Sequence, residues 1–149
     1  MFDGLNASAI LLGAFVDIAA TTIALTGLVL WLAPDVMSQD QAVSRKALEE
    51  FHASTTYVTA NVVLGALGTV IGAFVGASRA GRLHVRHGGW IAVTSTAIGF
   101  LLTLLSAPPQ VDAANPLWAE ALAWLLILPA GISGGALAAA LPAAQNREP

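Results

Sequence analysis

The chain has 149 residues, 56% of them hydrophobic and 10% charged, with a net charge of −3 and a mean hydropathy of +0.75. A soluble domain carries roughly 25% charged residues, so lipid rather than water must solvate most of this surface. There is no cysteine, which excludes disulfides, thiolate catalysis, iron–sulfur clusters and cysteine zinc sites. With no basic stripe of the kind a phosphate backbone requires, nucleic acid is excluded as a partner.

A bilayer-spanning helix needs about 20 mostly apolar residues. The first such stretch covers residues 5–32 and stops at Ala33-Pro34-Asp35. It follows Met1-Phe2-Asp3-Gly4, which has no basic region. Its apolar run is longer than the roughly 7–15 residues of a secretory signal core, so it reads as a retained span. Asp17 falls midway along it, near the expected bilayer centre, where a charge costs about 2.5–3.5 kcal/mol on insertion scales. Its helical neighbours Gly13, Ala14, Ala20, Thr21 and Ala24 are small. Small residues suit helix contact rather than lipid contact, so Asp17 is expected to point into a bundle.

The following link is expected to be helical from residue 39. Ser38 to Gln41 reads as a capping box. Val43, Ala47, Leu48 and Phe51 then share one face, while Arg45–Glu49 and Lys46–Glu50 form i,i+4 pairs. No Gly or Pro separates this segment from the second span, residues 56–77. One long helix over residues 39–77 is the expectation. A short helix lying on the membrane, with a bend near Ser54-Thr55-Thr56, is the alternative. The second span carries Gly68, Gly72 and Gly76 spaced by four, with Asn61 and Gly65 on the adjoining face. This spacing lets backbones approach closely. Asn61 is placed to hydrogen-bond Thr26.

The third span covers residues 89–106 and the fourth residues 117–141, with Gly131 and Gly135 again four apart. Pairing the helices about their links brings Thr69, Thr94, Ser95, Thr96 and Pro129 to the depth of Asp17, and proline leaves the Leu125 carbonyl without its usual donor. Asp17, Thr21, Thr69 and Thr96 are therefore the candidate ion or proton site. The bland alternative is a protonated Asp17 that hydrogen-bonds a hydroxyl or carbonyl and fastens helices together. His84 and His87 supply only two ligands with no acid nearby, so neither a metal nor any other cofactor is expected. The link after the second span holds Arg79, Arg82 and Arg86. The positive-inside rule places these arginines, and both termini, in the cytoplasm.

The run from Leu67 to Arg82, with its repeated Gly, followed by His87-Gly88-Gly89, resembles small four-span bacterial inner-membrane proteins of uncharacterised function, as does Leu12 to Ile18 around Asp17. The resemblance implies a bacterial plasma membrane and no known activity. The expected fold is all-α: an antiparallel four-helix transmembrane bundle with the second helix extended on the outer side. The expected function is non-enzymatic, an accessory or self-assembling membrane subunit whose partners are lipid and itself or other membrane subunits. A small ion- or proton-coupled carrier or channel centred on Asp17 is the alternative.

Overall fold

A computed structural model describes residues 4–105 and 116–141. Among them are five α-helices and no strand: α1 (Ala7–Leu32), α2 (Gln41–His52), α3 (Thr55–Ala80), α4 (His84–Leu105) and α5 (Leu117–Ala140). All except α2 are long and apolar enough to cross a membrane. The protein is a multi-pass membrane protein built on a four-helix bundle. The expected end of the third span at Ser106 lies outside the described residues.

The helix ends follow from local chemistry. Asn6 caps α1, its Oδ1 accepting from the Ala9 amide at 3.2 Å. Pro34 ends the helix and opens a 3-10 turn over Pro34–Met37. Asp40 caps α2 and accepts from the Ala42 amide at 2.8 Å. Ser38, expected as that cap, instead accepts from the Asp40 amide at 3.2 Å. At its C-terminus α3 stops on Gly81, whose φ of 70° is the left-handed conformation that ends helices.

The single helix expected over residues 39–77 is two helices. The chain breaks at Ala53-Ser54, because Ser54 caps α3 by accepting from the Tyr57 amide at 3.1 Å and donates to the Phe51 carbonyl at 2.6 Å. One hydroxyl thus serves the end of one helix and the start of the next, without a glycine or proline. Phe51 meets Tyr57 edge-on across the elbow and His52 lies tilted against it, with ring centroids 5.4 and 4.3 Å away. Ser44 ties α2 to the 3-10 turn by donating to the Val36 carbonyl at 2.6 Å. Both expected ion pairs form, Arg45–Glu49 at 2.8 Å and Lys46–Glu50 at 3.7 Å.

Helix α3 is the centre of the bundle. It packs against α1 on one side and α5 on the other, and α4 closes the group mainly through α5. Glycines set the close approaches. A Cβ at Gly76 would lie 2.6 Å from the Ala9 carbonyl, and one at Gly13 would lie 2.8 Å from the Gly72 carbonyl. On the other side, a Cβ at Gly131 would meet the Gly88 carbonyl at 2.5 Å, and one at Gly135 the His84 carbonyl at 2.5 Å. Gly134 approaches α3 in the same way: a Cβ there would lie 2.7 Å from the Ala73 Cβ. Gly65 departs from the expected packing role: a Cβ there meets nothing within 4 Å.

Candidate functional site

Burial along the helices is lopsided. The buried residues of α1 are Ala9, Gly13, Ala14 and Asp17, all in its first half. Those of α4 run from His87 to Ser95. Those of α3 and α5 begin at Gly68 and Ala130 and continue to Ala77 and Ala138, apart from Val58 and Ala119 near the helix starts. The bundle is therefore closed at the end carrying the exposed Arg79, Arg82 and Arg86, and loose at the end carrying α2. Asp17, Gly68, Ser95 and Ala130 mark the level where it opens.

Two histidines strengthen the closed end. His87 is fully buried. Its Nε2 accepts from the Asn6 amide at 2.9 Å, and its Nδ1 lies 3.1 Å from the Leu83 carbonyl. This pattern requires the neutral Nδ1–H tautomer. His84 Nδ1 lies 2.8 Å from the Ala77 carbonyl, one of the acceptors left open at the end of α3. Both histidines thus lock helix ends together. Among the described residues no group of three or more His, Cys, Asp or Glu side chains could hold a metal.

Asp17 is 6% exposed. It lies against Gly68 and Gly72, the depth expected from pairing α1 with α3: a Cβ at Gly72 would be 2.6 Å from the Asp17 Cβ. The hydroxyls of Ser95, Thr69 and Thr21 surround its carboxyl. Thr69 Oγ1 donates to Asp17 Oδ2 at 3.1 Å and is also 3.1 Å from the Gly65 carbonyl. Ser95, 7% exposed, turns its hydroxyl to the Ala92 carbonyl at 3.2 Å as well. Thr21 is near enough to act electrostatically on the carboxyl, but its buried Oγ1 meets no partner at hydrogen-bonding geometry.

Thr96 is not part of this cluster. Its hydroxyl donates to the Ala92 carbonyl at 2.8 Å, and its side chain lines a neighbouring cavity. Ser95, one residue earlier, takes the place expected for it. Asn61 makes no hydrogen bond to Thr26 and lines the same cavity. Pro129 and Ser133 are exposed on the outer surface of α5, away from Asp17. Helix α5 continues through Pro129 as one element.

The cavity occupies about 630 Å³ between α3, α4 and α5. Asn61 and Glu120 line it near the α2 end, and Thr69 and Thr96 line it at depth. Gly65, whose Cβ direction is open, is part of the wall. Thr69 thus touches both the cavity and the Asp17 carboxyl. No protein-family model matches this chain, and neither a curated protein nor a solved structure is significantly similar to it.

The Thr69 hydroxyl has one proton and two acceptors. When Asp17 is ionised, Thr69 can donate to its carboxylate. When Asp17 is protonated, the acid can donate to Thr69, and Thr69 can turn its proton to the Gly65 carbonyl. A rotation of one hydroxyl therefore accompanies each change of charge, on a side chain that faces the cavity.

Proposed function

We propose that this is a non-enzymatic membrane protein that binds and releases a proton or small cation at Asp17, as a small ion- or proton-coupled carrier or channel. One observation carries the reading: Asp17 lies where the bundle opens, and its hydrogen-bond partner Thr69 lines the cavity above it. The buried Thr21 hydroxyl, beside the Asp17 carboxyl but short of hydrogen-bonding geometry, adds a further oxygen. Buried hydroxyls are normally satisfied, and a bound cation or water would satisfy this one. Asp17, Thr21, Thr69 and Ser95 are the oxygen donors of the site.

An accessory or self-assembling role was attractive because of the glycine faces. Gly13, Gly68, Gly72, Gly76, Gly131 and Gly135 all meet other helices of the same chain. They no longer favour a partner subunit. The membrane is proposed to be a bacterial plasma membrane with the arginine end in the cytoplasm, on the distribution of Arg79, Arg82 and Arg86.

The test is flux into proteoliposomes containing a pH-sensitive dye, repeated with sodium and potassium gradients. The wild-type chain should dissipate one of these gradients, and Asp17→Asn should lose at least nine-tenths of that flux while retaining the wild-type melting temperature. Flux that survives in Asp17→Asn, or none in the wild type under any gradient, rejects the reading. Because the chain has no native cysteine, single cysteines at Ser38 and Ser78 report orientation. In intact cells an impermeant maleimide should label the first and not the second, and the reverse pattern refutes the proposed topology.

A further inference from the structure

The cavity beside Asp17 has features that proton binding does not require. A second crevice of about 370 Å³ adjoins it. The two share Thr96, Trp124 and Ile127, and the second extends to Phe100 and Leu128 between α4 and α5. Trp124 is 64% and Phe100 61% exposed, on helix surfaces that meet lipid. The combined space runs from a polar mouth at Asn61 and Glu120, in the first turn of α5, to an apolar groove open to the bilayer.

Two glycines keep the space clear. Gly65 and Gly99 both line the cavity, and a Cβ at either would meet nothing within 4 Å. Glycine inside a helix costs about 0.5–1 kcal/mol relative to alanine, and no helix contact at these two positions offsets that cost. Gly27 and Gly89 are similarly open, outside this cavity. The charge is one-sided. Glu120 is an acid at the mouth with no ion pair among the described residues, and none of the lining residues is basic. The volume falls in the range of small-molecule sites.

We propose that this crevice binds a single-chain amphiphile with an ammonium head, taken up from the bilayer between α4 and α5. The head sits at Glu120 and Asn61, near the level of the membrane interface. The chain lies along Trp124, Ile127 and Phe100. The Trp124 ring offers the ammonium a second attraction through its face. This inference goes beyond the Asp17 reading and meets it only at Thr69.

The experiment uses the full chain in phosphatidylcholine nanodiscs and three probes with the same tail: dodecylamine, dodecanol and dodecanoate. Binding is measured calorimetrically against empty nanodiscs. Dodecylamine should bind saturably above the empty-disc background, and the other two should not. Glu120→Gln should weaken binding about fivefold, as for a partly exposed ion pair. Gly99→Leu should abolish it by filling the cavity that Gly99 lines, with folding checked by the melting temperature. Glu120→Gln, at an exposed position, keeps the test intact if Gly99→Leu does not fold. Asp17→Asn should leave dodecylamine binding unchanged, whatever it does to flux. Equal uptake of all three probes would reduce the effect to partitioning and overturn the proposal. Loss of binding in Asp17→Asn, with Glu120→Gln and Gly99→Leu unaffected, would put the amine at Asp17 and overturn it as well. Failure of the flux test alone leaves these outcomes untouched.

Discussion

Gly65 and Gly72 stand seven residues apart on α3 and should respond in opposite directions to the same substitution. At Gly72 an added methyl would lie 2.6 Å from the Asp17 Cβ and 2.8 Å from its backbone nitrogen. Neither is the free end of a flexible side chain, so α1 and α3 must separate. The Gly13 carbonyl lies closer still, so reaching ordinary contact takes a shift of about 1 Å in a packed interior, and overpacking of this kind costs roughly 1–3 kcal/mol. Alanine recovers about 1 kcal/mol of helix propensity. The net expectation for Gly72→Ala is a loss of up to about 2 kcal/mol, as much as about a thirtyfold change in the folding equilibrium. At Gly65 the methyl meets nothing within 4 Å, so only the propensity term remains and Gly65→Ala should gain about 0.5–1 kcal/mol. Reversible unfolding in mixed micelles, followed by far-ultraviolet circular dichroism as the fraction of denaturing detergent rises, reads both midpoints. The same shift would move Thr69 out of hydrogen-bonding range of Asp17, so Gly72→Ala should impair flux as well. Midpoints moving in the same direction by similar amounts would refute the reasoning, since the two sites would then share one packing environment.

Other substitutions probe the remaining contacts. Ser54→Ala removes the cap of α3 and should cost about 1 kcal/mol in the same unfolding assay, with proteolytic cleavage at Ala53-Ser54 accelerated. His87→Phe keeps a ring in the core but leaves the Asn6 amide without its acceptor, an unpaired donor worth about 1–3 kcal/mol, visible as a lower melting temperature. Arg45→Ala breaks a pair that is 62% and 38% exposed, and should shift the unfolding midpoint by less than about 0.5 kcal/mol. Thr21→Val removes a buried hydroxyl with no hydrogen-bond partner, so stability should hold or rise. If that hydroxyl helps bind the ion, flux should nevertheless fall, and unchanged flux would remove Thr21 from the site.

The four spans were legible because hydrocarbon thickness sets one length for all of them, and apolar runs of that length are hard to mistake. The depth of Asp17 against Gly68 and Gly72 was legible too, because antiparallel helices joined by a known link have their register set by counting residues. The elbow at Ser54 was the alternative rather than the first expectation, for a chemical reason. Serine is neutral inside a helix and favourable at its start. Only the nearby Phe51 carbonyl and the Tyr57 amide show which role it takes. The choice of Ser95 over Thr96 depends on the rotation of α4 about its axis, which counting along a link leaves free. The histidines were read as part of a basic link. The signal that they are structural is their position beside Gly88, whose close contact with Gly131 and Gly135 draws the start of α4 into the core.

Spacing could not have separated the packing glycines from the open one. At 3.6 residues per turn, positions seven apart fall within about 20° of each other, so Gly65 and Gly72 share one face of α3. What differs is depth. Toward the arginine end, glycine after glycine lets α1 and α5 close on α3, and α4 close on α5. Above Asp17 the same face of α3 continues as Gly65 and Asn61 and borders a cavity. On the cavity wall, Gly65 and Gly99 leave the space open where a larger side chain would enter it. A bundle that admits a guest from one end needs a sealed half, an open half and a polar group at the boundary. Asp17 stands at that boundary, with Thr69 reaching from it into the open half. A small cation would come to the carboxyl through the polar mouth and an amphiphile to Glu120 from the bilayer, and the asymmetry of the bundle gives both the same open half.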